Sequence, residues 1–279
     1  MRKLFISADM EGCAAVAAQQ GLMPDRWAWE WTSARRWMTA EVAVAADAAL
    51  AAGYDEVIVA DGHGNAHNID PDGLPDNVRL VRSWPRPLMQ MQGCETEGVD
   101  ACAFIGYHAA AGCRDSILAH TYSGAALREV RLNGEVCSEA YLNAALAGEL
   151  GRPVLFVSGD QSVVNDARRY APDAVSFVTK QSFGWRSQMS LRPAQVQRLM
   201  KDAIAGALGR KLPAPFRLQG PYRLELEMTS QTASEMLSYL PSVQRTDAFG
   251  VSAVFVRLDD VMRFLSFVIL YTPTGVPAI

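Results

Sequence analysis

The feature that most constrains this chain is a series of short apolar runs, each of strand length and each closed off by Gly, Asp or Pro. They occupy residues 4–8, 56–60, 101–105, 153–157 and 175–178. Between the first two lies an Ala-rich stretch, 38–52, with helical composition; Thr32 or Ser33 offers an N-cap, and Gly53 stands where a left-handed C-terminal cap is expected. A further helix is expected over 191–208. Strands that alternate with helices, and that are apolar throughout rather than on one face, build a mostly parallel sheet covered on both sides. The expected fold class is therefore α/β, with a mostly parallel sheet and flanking helices.

The pattern breaks at Lys211-Leu-Pro-Ala-Pro-Phe216, where two prolines disfavour both helix and central strand. Beyond it, residues 222–228 alternate apolar and charged positions as a half-exposed strand does. Residues 229–240 have helical spacing, and 251–256 with 259–270 repeat a strand and a helix. Two units are thus expected: an α/β metal-site domain over 1–210 and a smaller α+β domain over 217–279.

Composition excludes several classes of function. With 49% apolar and 20% charged residues, no long segment needs to be disordered. The net charge of -4 argues against a sequence-independent nucleic-acid binder, whose phosphate contacts need clustered Lys and Arg; Arg35 and Arg36 form only a local basic pair. The N-terminal run reaches acids by Asp9, too soon for a signal peptide, and no uncharged apolar stretch approaches the roughly 18 residues of a membrane span. A cytoplasmic location is expected. Five cysteines, an odd number with no C-x-x-C pair, suggest reduced thiols rather than a disulfide framework or zinc knuckle.

The histidines carry the functional signal. Of four, His63, His108 and His120 each follow closely on an apolar run, whereas His67 reads as a loop residue. In an open α/β sheet ligands bind beyond the carboxyl ends of the strands, so Asp9, Glu11, His63 and His108 are expected to converge on one rim. Asp9 and Glu11, two apart, face the same way if the strand stays extended, and Gly12 lets the backbone turn away. Two carboxylates so close repel each other; a divalent cation turns that repulsion into binding energy, and neutral imidazoles complete a set that zinc accepts. Glu139, in a turn and short strand leading to a helix that Ser138 can cap, reads on local grounds as an acid favoured by the helix dipole. Asp160 is a reserve candidate.

Taken together, Ser7-Ala-Asp-Met-Glu-Gly12, Asp61-Gly-His63, Gly106-Tyr-His-Ala109, Ala119-His-Thr121 and Ser138-Glu-Ala-Tyr-Leu-Asn143 resemble the zinc D-aminopeptidases of the dipeptide-transport type, peptidase family M55. Ser158-Gly-Asp160 and Val178-Thr-Lys-Gln181 fit as well. The resemblance implies two zinc ions per subunit, Asp9 bridging them, Glu11 and His108 completing one, His63 and Glu139 the other, with His120 as the catalytic residue. It also implies hydrolysis of the N-terminal D-residue of short peptides such as D-Ala-D-Ala, and a homo-oligomer in the form of a stacked-ring decamer. The Trp27-Ala-Trp-Glu-Trp31 segment and the Ala110-Ala-Gly-Cys-Arg114 loop match no motif of that family. Manganese or cobalt suits the same ligands. A two-metal phosphoesterase and a non-catalytic metal- or small-molecule-binding protein are the alternatives, although no phosphate-cradling Gly-x-x-x-x-Gly-Lys loop is present.

Overall fold

A computed structural model describes residues 1–17 and 28–272. Seven strands form the main sheet: β1 (Lys3–Ala8), β2 (Glu56–Asp61), β3 (Val78–Val81), β4 (Val99–Tyr107), β7 (Val154–Asp160), β8 (Val175–Ser182) and β9 (Gln188–Ser190). Their order is β3-β2-β1-β4-β7-β8-β9, all parallel except the β8–β9 pair. The mostly parallel sheet anticipated from the apolar runs is present, and β3 and β9 are edge strands that those runs do not announce.

Both faces of this sheet are covered. On β1, Leu4, Ile6 and Ala8 join one core with α1 (Ala28–Ala51) and α4 (Pro193–Leu208), while Phe5 belongs to the other. That second core takes in α2 (Glu139–Glu149) and α3 (Gln161–Asp166), and continues through α6 (Leu258–Leu270) to a second sheet. Each fully buried Leu or Phe stabilises by roughly 1.5–3 kcal/mol. Exposed ion pairs such as Arg128–Glu227 contribute about 1 kcal/mol at most, so apolar burial fixes the layering.

The second sheet has the order β11-β12-β10-β5-β6 and is antiparallel. Its strands are β5 (Leu127–Leu132), β6 (Glu135–Val136), β10 (Tyr222–Met228), β11 (Val243–Arg245) and β12 (Gly250–Phe255), with α5 (Gln231–Leu237) packed beside them. Along β10 buried residues alternate with exposed or partly exposed ones, as the sequence predicts. Residues 217–279 therefore supply three of its strands, and the chain between β4 and α2 supplies the other two.

Helix α1 starts earlier than its cap residues suggest: Thr32 and Ser33 lie inside it. Extension lets Trp31 donate from Nε1 to Asn68 at 3.4 Å while Arg35 stacks over its ring. Trp29 is exposed, and Trp27 lies outside the described residues. Further along α1, fully buried Glu41 accepts from the Ala14 amide at 2.8 Å through Oε1, while Oε2 has no hydrogen bond.

Burial pushes the Glu41 carboxyl up to about 7 from its ordinary 4.5. Folding then favours the protonated form, so the stability Glu41 contributes is fully present below its unfolded pKa and is lost as pH rises through about 7. In thermal unfolding between pH 5 and 8, Glu41→Gln should gain on the wild type with rising pH, by up to about 3 kcal/mol. A difference that stays constant across this window would show that Glu41 does not titrate there.

Candidate metal centre

The ends of β2, β1 and β4 are adjacent, and the residues following them meet at one point. Beyond β1 the backbone keeps pairing with β4: Asp9 donates its amide to Ile105 O at 2.8 Å, and Gly12 to Gly106 O at 2.7 Å. This approach tolerates no side chain. A Cβ on Gly12 would lie 1.9 Å from Tyr107 O, and one on Gly106, at φ +74°, 2.2 Å from Asp9 O. Two glycines thus let the Asp9–Glu11 segment lie against the strand that carries His108.

The other two positions are held by local capping chemistry. Asp61, at the end of β2, accepts from the amides of Asn68 and Ile69 and from Asn68 Nδ2, and Asn68 Nδ2 also donates to His63 O. The turn bearing His63 is thereby closed on itself. Glu139 is the first residue of α2, whose N-cap Ser138 accepts from the Tyr141 amide as the sequence predicts. Asp160, the reserve candidate, caps α3 and accepts from Ser116 and Ile117. It fixes a loop and stays apart from the cluster.

Asp9, Glu11, His63, His108 and Glu139 are each no more than 5% exposed, and all five converge. His63 Nδ1 is 2.9 Å from Glu11 Oε2 and 3.4 Å from Asp9 Oδ1; His108 Nε2 is 3.5 Å from both Asp9 Oδ2 and Glu139 Oε1. Two compact triads result, Asp9–Glu11–His63 and Asp9–His108–Glu139, with Asp9 common to both. These contacts pair Glu11 with His63 and His108 with Glu139, crossing the division that the resemblance implies. They are the acid–base contacts the side chains make with one another; Asp9 is shared in either division.

His120 completes the group. Its ring stacks on His108 with centroids 4.4 Å apart, and its Nε2 is 3.7 Å from Glu139 Oε1 and 3.8 Å from Glu11 Oε1. Glu11, His108 and His120 form a third compact triad. Unlike the others, the His120 side chain is 25% exposed. Both stacked rings direct Nδ1 at a backbone carbonyl, His108 to Ala109 O at 2.9 Å and His120 to Leu118 O at 2.8 Å. A carbonyl can only accept, so each Nδ1 carries a proton and each Nε2 is turned into the cluster.

The electrostatics are those of a site built for cations. Burial, reinforced by Glu11, pushes Asp9 up to about 8. Burial works against charge on Glu11 and His63 too, yet each partner's opposite charge wins, holding Glu11 well below and His63 well above the usual range. His108 is likewise raised to about 10, because the nearby Glu139 carboxylate outweighs its burial, and His108 in turn lowers Glu139. Protons here occupy the places that a cation would take. The donor set also fits a metal: Asp9 Oδ2 and His108 Nε2 are buried, face each other and have no hydrogen bond, an arrangement that is costly unless something bridges them.

Two residues of the site go unannounced by the sequence. Gln90, buried between Met89 and Met91, accepts from Tyr107 and Asn143 at Oε1, which leaves Nε2 to donate to Glu139 and to Gly62 O. Its one signal is an amide set within an apolar turn. Tyr122 donates its backbone amide to Glu139 Oε1 at 2.6 Å. His67 is an exposed loop residue, as expected.

The cluster opens on a cavity of about 810 Å³, walled by Trp84, Met89, Leu118 and Trp185, with Leu127, Arg128, Ile269 and Leu270 on the side of the second sheet. Ala111 and Gly112 of the unmatched loop also line it, whereas Trp29 and Trp31 do not.

A curated D-aminopeptidase of Bacillus subtilis (strain 168) is 28% identical over 209 residues, 75% of this chain and 74% of that one. The solved structure described as Zn-dependent D-aminopeptidase DppA from Bacillus subtilis, a self-compartmentalizing protease, superposes with a TM-score of 0.89. It covers 95% of this chain and 96% of its own at 24% identity, which establishes a shared fold. The model of the Peptidase M55 family, D-aminopeptidase, matches residues 1–267, and the chain therefore belongs to that family of peptide-bond hydrolases.

Proposed function

We propose that the protein is a binuclear zinc aminopeptidase that removes the N-terminal residue, a D-amino acid, from short peptides such as D-Ala-D-Ala. The observation that carries this is the buried cluster in which Asp9 belongs to two carboxylate–imidazole triads at the floor of a peptide-sized cavity. In this reading Asp9, Glu11, His63, His108 and Glu139 would hold the two ions. Charge supports the count: with imidazoles neutral, three carboxylates leave one divalent ion in negative excess, and a second reverses the sign. Nitrogen and oxygen donors of this softness suit zinc, with manganese or cobalt as substitutes, and the Bacillus subtilis relative is Zn-dependent.

Bound zinc supplies a Lewis acid for the scissile carbonyl and lowers the pKa of water from about 15.7 towards neutrality. The chain does the rest. Donation from Nδ1 fixes the His120 tautomer, so its Nε2 presents a lone pair between Glu11 and Glu139 at the open side of the cluster. That lone pair is what general-base chemistry requires, and it equally meets the condition for covalent attack. Stacking on His108 holds the ring in place. Gln90 and the Tyr122 amide orient Glu139.

Among the described residues no helix is long and apolar enough to cross a membrane, and all five cysteines are free. Both fit a cytoplasmic enzyme. We extend to this chain the self-compartmentalizing assembly of its relative, as a homo-oligomer of stacked rings. The exposed Phe183, Trp185 and Met189 of the β8–β9 hairpin offer apolar contact area for it.

Zinc loading at pH 7 should displace protons held by His63, His108 and Asp9. Calorimetric titration in buffers of different ionisation heat is expected to show release of about two to three protons per chain; no buffer dependence would place the binding elsewhere. His120→Ala should keep its zinc while turnover falls at least about a hundredfold, and unchanged turnover would remove His120 from the mechanism. A panel of D- and L-dipeptides and phosphoesters, with and without chelator, tests the reaction itself. Cleavage of D-peptides alone, lost with chelator, is expected; phosphoester cleavage or no turnover would favour the two alternatives.

A further inference from the structure

The segment carrying Asp9 and Glu11 has no regular secondary structure, yet its backbone is gripped residue by residue from outside. Lys180 of β8 is 2% exposed. Its ammonium donates to the carbonyl oxygens of Glu11, Cys13 and Val16, the second at 2.8 Å. The neighbouring Thr179 hydroxyl donates to Gly12 O at 2.6 Å. Glu41 accepts from the Ala14 amide and Ser190 from the Ala15 amide, both at 2.8 Å. Six consecutive residues, 11–16, are thus each held by a side chain from α1, β8 or β9.

Charge alone makes Lys180 an odd neighbour for a cation site. Burial lowers Lys180 to about 8, but the ammonium is still a positive charge near the carboxylates that opposes binding of a metal ion, and its hydrogen bonds go to backbone carbonyls, not to a carboxylate. Its value lies in geometry: an ammonium has three donors, and all three are spent on this one loop. No neutral side chain offers three donors at the end of a four-carbon stem.

We propose that Lys180 is a positioning residue for the metal centre, holding the backbone of residues 11–16 so that Asp9 and Glu11 point into the cluster, and that its net effect on zinc affinity is favourable despite its charge. The proposal rests on the reading of Asp9 and Glu11 as zinc ligands. Partners that orient the ligands of a metal typically alter affinity by about 10–100-fold.

The test is the zinc Kd, measured by competition with a chromophoric chelator, for the wild type, Lys180→Met and Thr179→Val, each alongside a thermal unfolding curve. Lys180→Met should bind zinc at least about tenfold more weakly, and its cobalt-loaded form should show altered visible absorption bands. Removal of the charge alone would tighten binding, and a purely structural role would lower Tm while leaving Kd unchanged; either result overturns the proposal. If Lys180→Met does not fold cooperatively, Thr179→Val decides: weakening of about threefold or more supports the proposal and an unchanged Kd overturns it. Failure of the wild type to bind zinc would instead overturn the metal centre itself, and this inference with it.

Discussion

Three carboxylates share a space from which water is nearly excluded, and their mutual repulsion is the constraint that the surrounding structure answers. Asp9 and Glu11 are neighbours in one segment, but Glu139 lies far along the chain, and nothing local draws the three together. They are brought there by the parallel order of β2, β1 and β4 and by the packing of α2 against the sheet. Apolar burial of several kcal/mol over these elements offsets the cost of the charges. The imidazoles of His63 and His108 then supply the compensating positive charge that the raised and lowered pKa values record.

Around that core each ligand candidate is oriented by a different device. Asp9 depends on two glycines that permit backbone contact; His63 depends on a turn closed by Asp61. Glu139 depends on Gln90, whose orientation is dictated by Tyr107 and Asn143. His108 and His120 depend on carbonyls that fix their tautomers. Orientation from outside is what separates a preorganised site from a chance cluster of titratable side chains.

Much of this was legible in the sequence because it lies close to strand ends. The apolar runs announced β1, β2, β4, β7 and β8, and placing Asp9, Glu11, His63 and His108 just beyond strands put them on one rim. Glu139 was legible only through resemblance, since its helix-terminal position alone has a common explanation in the dipole. Gln90 was not legible, because its role is set by contacts with residues 17 and 53 positions away. The start of α1 was misplaced because a cap residue is a preference that tertiary contacts at Trp31 and Arg35 override. Strands β5 and β6 join a sheet otherwise made from the last quarter of the chain, a pairing that no local pattern encodes.

The cavity has two owners. Its floor is built by the parallel sheet, whereas Leu127, Arg128, Ile269 and Leu270 reach it from β5 and α6 on the side of the second sheet. Substitutions on that side change what fits without disturbing the buried charges, and substitutions at the floor disturb the charges before they change what fits. Selection can therefore retune the accepted side chain while leaving the chemistry alone, and a family with this architecture can diversify in substrate faster than in mechanism.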